Sequence, residues 1–390
     1  MPASYSPPSP LMDQGDESFE RLRASLSTAY GLPDKPIPSS IHPVDEMFRD
    51  ALRRREDRAA ALIEYMLIGN QSAATIRQVA RWCGFRWEEL DAVLDFAAGY
   101  GRVSRFLLRS LPPGRLWIAE VLEAAVPFQE ESFGVHGIRS VTDPQAVRFP
   151  RRFRFISALS LFTHLPRETF TLWLRRLCDA VDDGGVLLFT THGPEAYEKE
   201  HGRPLREDFD FRAWSENDEL DKNVYGLTFT KTEFVLAQIA KMPGIDLLGH
   251  LPRGLGNHQD IFVVGRGRTK PDAPLTVQPM PQGWVEVVHG PKRDGSIHFV
   301  GWGLDGTHRE PLARVTVLAD DVVLGDAELG RERDLSTAYG PQAARNGGWI
   351  LSIPYGGWQP DWLTIAMDDA AGTRAVFTCP TRDVVTVGRE

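Results

Sequence analysis

The sequence predicts an α/β domain built on a doubly wound parallel sheet, preceded by a helical cap and followed by a separate all-β sandwich. Apolar strand-like runs alternate with helix-period segments between residues 92 and 264, which is the pattern of a parallel sheet covered by helices. A stretch rich in proline follows residue 268. Beyond it the period changes to short strands separated by turn residues, which is typical of an antiparallel sandwich.

The composition is that of an ordinary globular protein, and it excludes several classes. The chain has 390 residues, 42% of them hydrophobic and 25% charged, with a formal net charge of −9, which disfavours a nucleic-acid partner. No segment reaches the ~18 consecutive apolar residues of a membrane span, and the N-terminus lacks the pattern of a signal peptide. The 3 cysteines are far apart, which fits a reducing compartment and no metal site. We therefore expect a cytoplasmic protein without a transmembrane segment.

The N-terminal part divides into an arm and a cap. Residues 1–40 are rich in proline and serine, which predicts a mobile arm in which residues 19–30 could form one short helix. From Pro43 the apolar spacing becomes helical, with helices expected over 47–67 and 73–83. Gly84 suits the end of the second helix. We expect these helices, within 41–88, to cap the sheet. The cap could close over a ligand or merely cover an edge of the sheet, and the sequence does not decide between these two roles.

The central part of the chain predicts a Rossmann-like, seven-stranded domain over residues 41–268. The predicted strands are 92–96, 116–119, 138–142, 153–158, 186–191, 245–250 and 260–264, the last two as an antiparallel hairpin. Helices are expected over 103–111, around 123–134, from Pro166 to about residue 181, and over 232–241. Residues 194–226 are polar and irregular, which predicts a long loop of the kind that carries function.

The C-terminal part predicts a linker and a β-sandwich. Prolines mark a linker over 269–282, and the sandwich is expected over 283–386. Its predicted strands are 284–288, 297–302, 315–318, 322–327, 349–353, 362–367 and 375–379. Aromatic faces can stack on sugars, but core packing is the simpler interpretation of the tryptophans in this domain. These are Trp284, Trp302, Trp349, Trp358 and Trp362.

A loop of small residues after the first strand predicts a nucleotide-type cofactor pocket. Glycines such as Gly99 and Gly101 let the backbone approach a ligand closely, and the helix that follows offers free N–H groups. A dinucleotide fingerprint would have a further glycine five residues after Gly99, where this chain has Ser104. Such a fingerprint also has no use for Asp95, just before the loop. Glu120, at the end of the second strand, could accept both ribose hydroxyls.

The pattern Asp95-x-Ala97-x-Gly99-x-Gly101 resembles motif I of class I S-adenosylmethionine-dependent methyltransferases. Segments 155–166, 182–193 and 256–260 resemble those of the bacterial methyltransferases found with surface-polysaccharide biosynthesis, so the resemblance spans about residues 85–266. The chain departs where Ala97-Ala98-Gly99 stands in place of the more frequent Gly-Cys-Gly. Ala97 is small enough to keep the loop near a cofactor. Residues 301–303 and 333–339 resemble an immunoglobulin-like module of bacterial surface-glycan enzymes.

The resemblance implies S-adenosylmethionine as cofactor and gives individual residues a role in binding it. Asp95 would face the methionine ammonium group and Glu120 would hold the ribose. The other implied cofactor residues are Ala97, Gly99 and Gly101 under the cofactor, Thr142 and Asp143 beside the adenine, and Ala158 and Ser160 in the pocket wall.

Two histidines are candidates for the general base. His164 and His192 each follow a predicted strand at the carboxyl edge of the sheet, and an imidazole titrates near neutrality. A structural hydrogen-bonding role is the alternative for both. His201 and His258 are weaker candidates.

The resemblance implies O-methylation of a sugar hydroxyl in a glycan or glycolipid precursor, so the expected partner is a small-molecule or glycan acceptor. A second copy of the chain or a glycan-assembly enzyme could also be a partner. One alternative is a non-catalytic protein that binds the cofactor while its sandwich binds a glycan or protein. Another is a nicotinamide-dependent oxidoreductase, which Ser104 disfavours.

Overall fold

The computed structural model describes residues 17–31, 35–55, 57–214, 220–292, 295–357, 359–383 and 386–387. The helices are α1 (Glu17–Tyr30), α2 (Glu46–Arg54), α3 (Arg58–Trp82), α4 (Ser104–Leu107), α5 (Ala125–Phe133), α6 (Arg167–Ala180), α7 (Pro194–His201), α8 (Thr232–Ile239) and α9 (Ser336–Tyr339). The strands of the first domain are β1 (Val93–Phe96), β2 (Leu116–Glu120), β3 (His136–Arg139), β4 (Phe153–Ala158), β5 (Val181–Thr191), β6 (Phe209–Arg212), β7 (Leu227–Thr230), β8 (Ile245–Leu255) and β9 (Gln259–Arg266). Those of the second are β10 (Gln282–His289), β11 (Ser296–Leu304), β12 (Arg314–Ala319), β13 (Val322–Asp326), β14 (Glu328–Arg331), β15 (Gly348–Pro354), β16 (Trp362–Asp368), β17 (Arg374–Pro380) and β18 (Thr386–Val387).

The first domain has a seven-stranded sheet in the order β3-β2-β1-β4-β5-β9-β8. Strands β1 to β5 pair in parallel, whereas β9 pairs antiparallel with both β5 and β8. The predicted fold class and the predicted antiparallel hairpin are therefore confirmed. The strand order reverses between β1 and β4, which is where doubly wound sheets bind their ligands.

Helices cover both faces of the sheet. Successive strand residues point to opposite faces, so neighbours in sequence belong to different cores. Val93 and Phe155 pack on one face against residues of α1, α3 and α4. Leu94 and Ile156, their neighbours in sequence, pack on the other face against α6 and α8. Among the described helices, none is long and apolar enough to cross a membrane.

The cap differs from its predicted form. One 25-residue helix, α3, replaces the end of the first expected helix and all of the second, and the chain breaks before it, where the Asp57 side chain accepts a hydrogen bond from the Ala59 N–H at 2.9 Å. Gly69 lies in the middle of α3 without breaking it. A Cβ there would collide with the Arg102 carbonyl oxygen, so this glycine allows close packing of α3 on the loop that carries Arg102.

Three other elements have different bounds from those predicted. Helix α4 has 4 residues rather than the nine expected over 103–111, and β3 ends at Arg139, before the expected residue 142. The segment 194–226, expected to be one irregular loop, begins with α7 and contains β6, which pairs with β7 as an antiparallel hairpin. Polar composition hid these short elements because each buries only a few side chains.

Part of the expected mobile arm is an ordered, buried helix. In α1, Phe19, Leu22 and Leu26 join the core beside α3, and Ser25 Oγ lies 2.8 Å from Thr364 Oγ1 of β16. The prediction of a mobile arm over 1–40 is therefore wrong for residues 17–31. The alternative of a short helix is correct there, because its apolar face is buried between α3 and the second domain. Residues 1–16 and 32–34 lie outside the described ranges.

The second domain consists of two packed sheets. Their orders are β14-β15-β11-β10-β18 and β13-β12-β16-β17, and all pairs are antiparallel except β10 with β18. The seven predicted strands are present, and β14 and β18 are additional. Trp349 and Trp362 are buried, which confirms core packing for these two, whereas Trp284 is 50% exposed beside Phe377. Trp358 lies outside the described residues.

The expected linker over 269–282 is bound along α3. The Trp82 indole N–H donates to the Ala273 carbonyl oxygen at 2.8 Å, and the Gln278 N–H donates to the Gln78 side chain at 2.7 Å. Leu275 is buried in the core of the first domain. The proline-rich composition therefore marks an extended connection, fixed to the first domain rather than free.

A buried ion network joins the two domains. Arg374 on β17 is 4% exposed and pairs with Asp368 on β16 through two guanidinium nitrogens. The same carboxylate accepts from Arg109, just beyond α4, at 3.2 Å. Arg374 also donates to the carbonyl oxygens of Ala29, at 3.1 Å, and Gly31 at the end of α1. The sandwich, α1 and the region after α4 are thus held at one point.

We expect Asp368→Ala to lower the free energy of unfolding by about 3–5 kcal/mol, because it leaves the buried Arg374 guanidinium without its carboxylate. Urea denaturation measures the change. Glu328→Ala is the matched control. It removes an exposed ion pair with Arg331 and should cost less than about 1 kcal/mol. Equal effects of the two substitutions would show that the interdomain network is not a stabilising contact.

Candidate functional site

A cavity of about 880 Å³ lies at the carboxyl edge of the sheet, within the size range of small-molecule sites. Its walls come from the cap, from the loops that follow β1 to β4, and from the segment between α7 and β7. Nine of the main candidates named above line it: Asp95, Ala97, Gly99, Glu120, Thr142, Asp143, Ser160 and the two candidate bases, His164 and His192. Within the described residues, no group of histidine, cysteine or acidic side chains could hold a metal ion.

Asp95 is a buried carboxylate held by two hydroxyls. Its Oδ2 accepts from Ser104 Oγ at 2.8 Å, and its Oδ1 accepts from Ser157 Oγ at 3.1 Å. Burial raises the pKa of Asp95 to about 6, while the two hydrogen bonds act in the opposite direction and the Glu120 charge adds to the rise. The side chain joins β1, α4 and β4 and faces the cavity.

Ser104 and Ser157 have a role that sequence analysis misses. In the sequence, Ser104 is only a position without the glycine of a dinucleotide fingerprint, and Ser157 is one polar residue in a buried strand. In the structure both are fully buried against Asp95. A buried hydroxyl needs a hydrogen-bond partner. The serine inside the apolar run of β4 was therefore the sequence signal that could have indicated a buried polar contact.

The small-residue loop has the backbone conformation that its composition predicts. Ala97, Gly99 and Gly101 all have positive φ angles, of 59°, 56° and 82°. A Cβ on Gly99 would point into open space, whereas one on Gly101 would collide with the Phe133 ring and lie 2.8 Å from Gln129 Oε1. Gly99 is therefore open for a ligand. Gly101 does not line the cavity, and its expected place under the cofactor is taken by packing against α5.

Glu120 ties the loops after β1 and β2 together. Its Oε2 accepts from the Gly99 N–H at 2.7 Å, and its Oε1 accepts from the Val121 and Leu122 N–H groups at 2.6 and 3.1 Å. Burial raises the pKa of Glu120, and these backbone hydrogen bonds oppose the rise. Gln129 completes the arrangement by donating to the Gly99 carbonyl oxygen at 2.9 Å. Glu120 thus orders the glycine loop and also faces the cavity.

The remaining predicted cofactor residues are placed unequally. Thr142 and Asp143 lie in the exposed loop after β3 and line the cavity. Ser160 has φ 58°, accepts from Gln259 Nε2 at 3.0 Å, and also lines it. Ala158 is the buried last residue of β4 and does not. The wall that was expected from Ala158 is formed by Leu159 and Ser160.

His164 is held in one tautomer by the segment before β7. Its Nδ1 lies 2.7 Å from the Gly226 carbonyl oxygen, which can only accept, so the neutral ring carries its proton on Nδ1 and its lone pair on Nε2. The ring stacks on Tyr225 with centroids 4.5 Å apart and planes 14° apart. This geometry leaves Nε2 as the basic nitrogen.

His192 is in a different state. Burial lowers the pKa of His192 to about 3, and the neighbouring His258 and His164 lower it further, while a Thr228 backbone contact raises it. Its buried Nδ1 has no hydrogen-bond partner among the described residues. The rings of His192 and His258 are 4.7 Å apart. His258 lines the cavity, whereas His201 does not and is bound by Arg212 and Tyr197.

Several further lining residues come from parts of the chain that sequence analysis left unassigned. The cap contributes Glu46, Met47 and Asp50 from α2, which are invisible as site residues without the fold. Trp214, 58% exposed, and Tyr225 belong to the polar segment before β7. Aromatic residues in an otherwise polar segment were the signal that could have found these two.

Comparison with solved structures finds proteins that align with about half of this chain. An S-adenosylmethionine-dependent methyltransferase from Clostridium acetobutylicum aligns at 13% identity and a TM-score of 0.38, over 50% of this chain and 91% of its own. A glycopeptide N-methyltransferase complexed with sinefungin aligns at 15% identity and a TM-score of 0.38, over 51% and 94%. A sugar N-methyltransferase from a Streptoalloteichus species aligns at 17% identity and a TM-score of 0.37, over 50% and 86%. No protein-family model and no curated protein matches the chain.

The two loop glycines should respond differently to alanine. Gly99→Ala meets no neighbouring atom, so only the positive φ costs stability, about 1 kcal/mol. Gly101→Ala adds a collision with Phe133 and should cost about 2–5 kcal/mol. Urea denaturation of the two variants measures the difference. Equal losses would contradict the open position assigned to Gly99.

Proposed function

We propose that the chain is an S-adenosylmethionine-dependent methyltransferase whose acceptor binds in the same cavity. The observation that carries this proposal is the pair of buried carboxylates, Asp95 and Glu120, at neighbouring strand ends on either side of the open position at Gly99. Carboxylates at the carboxyl edge of a parallel sheet, beside a glycine loop, suit a ligand that is cationic and carries a ribose.

The residues present fit this cofactor. Its ammonium and sulfonium groups are cationic, and Asp95 offers a carboxylate. Burial raises the pKa of Asp95 to about 6, so its ionised form is destabilised until a cation lies beside it. Glu120 Oε2 accepts one backbone hydrogen bond, from the Gly99 N–H, so its second lone pair can accept from a ribose hydroxyl, whereas Oε1 already accepts from the Val121 and Leu122 N–H groups. We assign Thr142 and Asp143, which line the cavity, to the adenine. When bound, S-adenosylmethionine supplies a methyl group activated by its sulfonium.

For the chemistry on the acceptor we propose O-methylation with His164 as the general base. A hydroxyl must lose its proton as it becomes a nucleophile, and His164 Nε2 can accept that proton while Nδ1 stays bonded to the Gly226 carbonyl oxygen. His192, with a pKa of about 3, is too weak a base for this task. We assign it a role in shaping the acceptor end of the cavity.

The acceptor that we propose is a sugar of a glycan or glycolipid precursor. Two aromatic side chains, the exposed Trp214 and the Tyr225 that stacks on His164, border the cavity. The apolar face of a sugar ring stacks well on such rings. The resemblance to surface-polysaccharide enzymes favours the same class, together with a cytoplasmic location and an immunoglobulin-like identity for the sandwich. Partnership with a second copy or with a glycan-assembly enzyme stays a prediction.

Binding of S-adenosylhomocysteine, measured by calorimetry, tests the cofactor. We expect binding at pH 7.5 and about tenfold weaker binding at pH 5, because the ionised Asp95 attracts the ammonium group and is lost as pH falls below its pKa of about 6. Asp95→Asn should bind weakly at both pH values. The absence of wild-type binding up to millimolar ligand would reject the proposal. Binding that is independent of pH would remove Asp95 from it.

Two histidine variants test the base, with an acceptor that the wild type methylates. His164→Ala should lower kcat about 100-fold or more, whereas His192→Ala should lower it less than tenfold. Both should keep the wild-type affinity for S-adenosylhomocysteine. If both variants stay fully active, deprotonation does not use His164. If the wild type binds the cofactor and methylates no member of a panel of sugars, glycans and nucleotide sugars, the non-catalytic binding protein becomes the better interpretation.

A further inference from the structure

Arg102 is a cation at the cavity, and no described residue forms an ion pair with its guanidinium. It directly follows Gly101 and lines the cavity. Among the described residues, no hydrogen bond and no ion pair involves the Arg102 guanidinium. Desolvation lowers the pKa of Arg102, partly offset by Tyr65 and Asp45 at longer range. A half-buried guanidinium at the wall of a cavity can bind an anionic group of a ligand.

The neighbouring arginines are satisfied. Arg105 is fully buried and donates to the carbonyl oxygens of Gly101 and Pro38, both at 3.1 Å, and to the Tyr65 hydroxyl at 3.3 Å. Arg54, on the cap side of the cavity, pairs with Asp50 and with Glu64. Arg102 differs from these arginines because no hydrogen bond or ion pair joins its side chain to another described residue.

Asp45, an acid of the cap whose charge acts on Arg102, already has hydrogen-bond partners. The Asp45 carboxylate accepts from the Met47 and Phe48 N–H groups at 3.0 and 3.2 Å and from the Tyr65 hydroxyl at 2.6 Å. It therefore caps α2 and holds α3, and it leaves the fork of Arg102 for another anion. Asp95, at the opposite end of the same loop, offers the complementary negative charge.

We propose that Arg102 binds the carboxylate of the cofactor's amino-acid end, while Asp95 faces the ammonium group. The inference rests on the proposed function. An amino acid presents one cation and one anion on the same carbon, so its recognition needs both charge signs within one short loop. Six residues, 96–101, separate Asp95 from Arg102, and both side chains line the same cavity. The planar guanidinium suits a carboxylate because it can donate two parallel hydrogen bonds.

Calorimetry with two ligands isolates the carboxylate. The ligands are S-adenosylhomocysteine and its decarboxylated analogue, which keeps the amine and lacks the carboxylate. For the wild type we expect the first to bind at least about tenfold more tightly. In Arg102→Met this difference should disappear, through weaker binding of S-adenosylhomocysteine alone, because the cycle removes both partners of one contact. Arg102→Lys, which keeps the charge and loses the fork, should be intermediate.

Arg54→Ala is the matched control, since it removes a cavity-lining arginine that has protein partners, and it should preserve the wild-type difference. Unchanged binding of S-adenosylhomocysteine by Arg102→Met would overturn the inference. Equal weakening of both ligands would also overturn it, because Arg102 would then act on the loop and not on the carboxylate. Failure of the wild type to bind either ligand would reject the proposed function itself, a result distinct from both.

Discussion

The buried carboxylate of Asp95 is the constraint around which the first domain is arranged. Taking a carboxylate out of water is expensive unless hydrogen bonds compensate it, and here Ser104 and Ser157 each donate one. Those donors lie on α4 and β4, so the same two bonds fix the start of the helix and the neighbouring strand relative to β1. Glu120 then fastens the glycine loop through the Gly99 N–H. These hydrogen bonds fix the positions of Asp95, Gly99 and Glu120, which line the cavity.

The second domain contacts the region after α4, next to the helix that carries Ser104. Arg109, just beyond α4, shares the Asp368 carboxylate with Arg374 of the sandwich, and Arg374 reaches the carbonyl oxygens at the end of α1. Helix α4 is short and therefore weak by itself. The structure thus stabilises it at both ends, by Asp95 at the first turn and by the sandwich at the last. Through this contact the sandwich helps to position α4, whose Ser104 donates to Asp95 at the cavity.

The sequence correctly predicts those elements whose structure depends on neighbouring residues. The apolar runs of β1, β4 and β5 and the small-residue loop at 97–101 have the expected structure because strand period and positive φ are properties of the nearby sequence. The burial of helix α1 cannot be predicted from neighbouring residues. Its partners, such as Thr364, lie more than three hundred residues away, and a proline-rich neighbourhood resembles a free arm. Arg102 and Arg105 also look alike in sequence, and only the fold shows that Arg105 has three hydrogen-bond partners whereas the Arg102 side chain has none among the described residues.

The two candidate bases make the same point about chemistry. His164 and His192 each follow a strand at the same edge, so the sequence gives them equal standing. They differ because the segment before β7 brings the Gly226 carbonyl oxygen to Nδ1 of His164, which fixes its tautomer, and leaves Nδ1 of His192 buried without a described partner. That segment also supplies Tyr225 and Trp214 to the cavity. The strand ends therefore form the half of the cavity to which we assign the cofactor, and the segment between α7 and β7 lines the half to which we assign the acceptor.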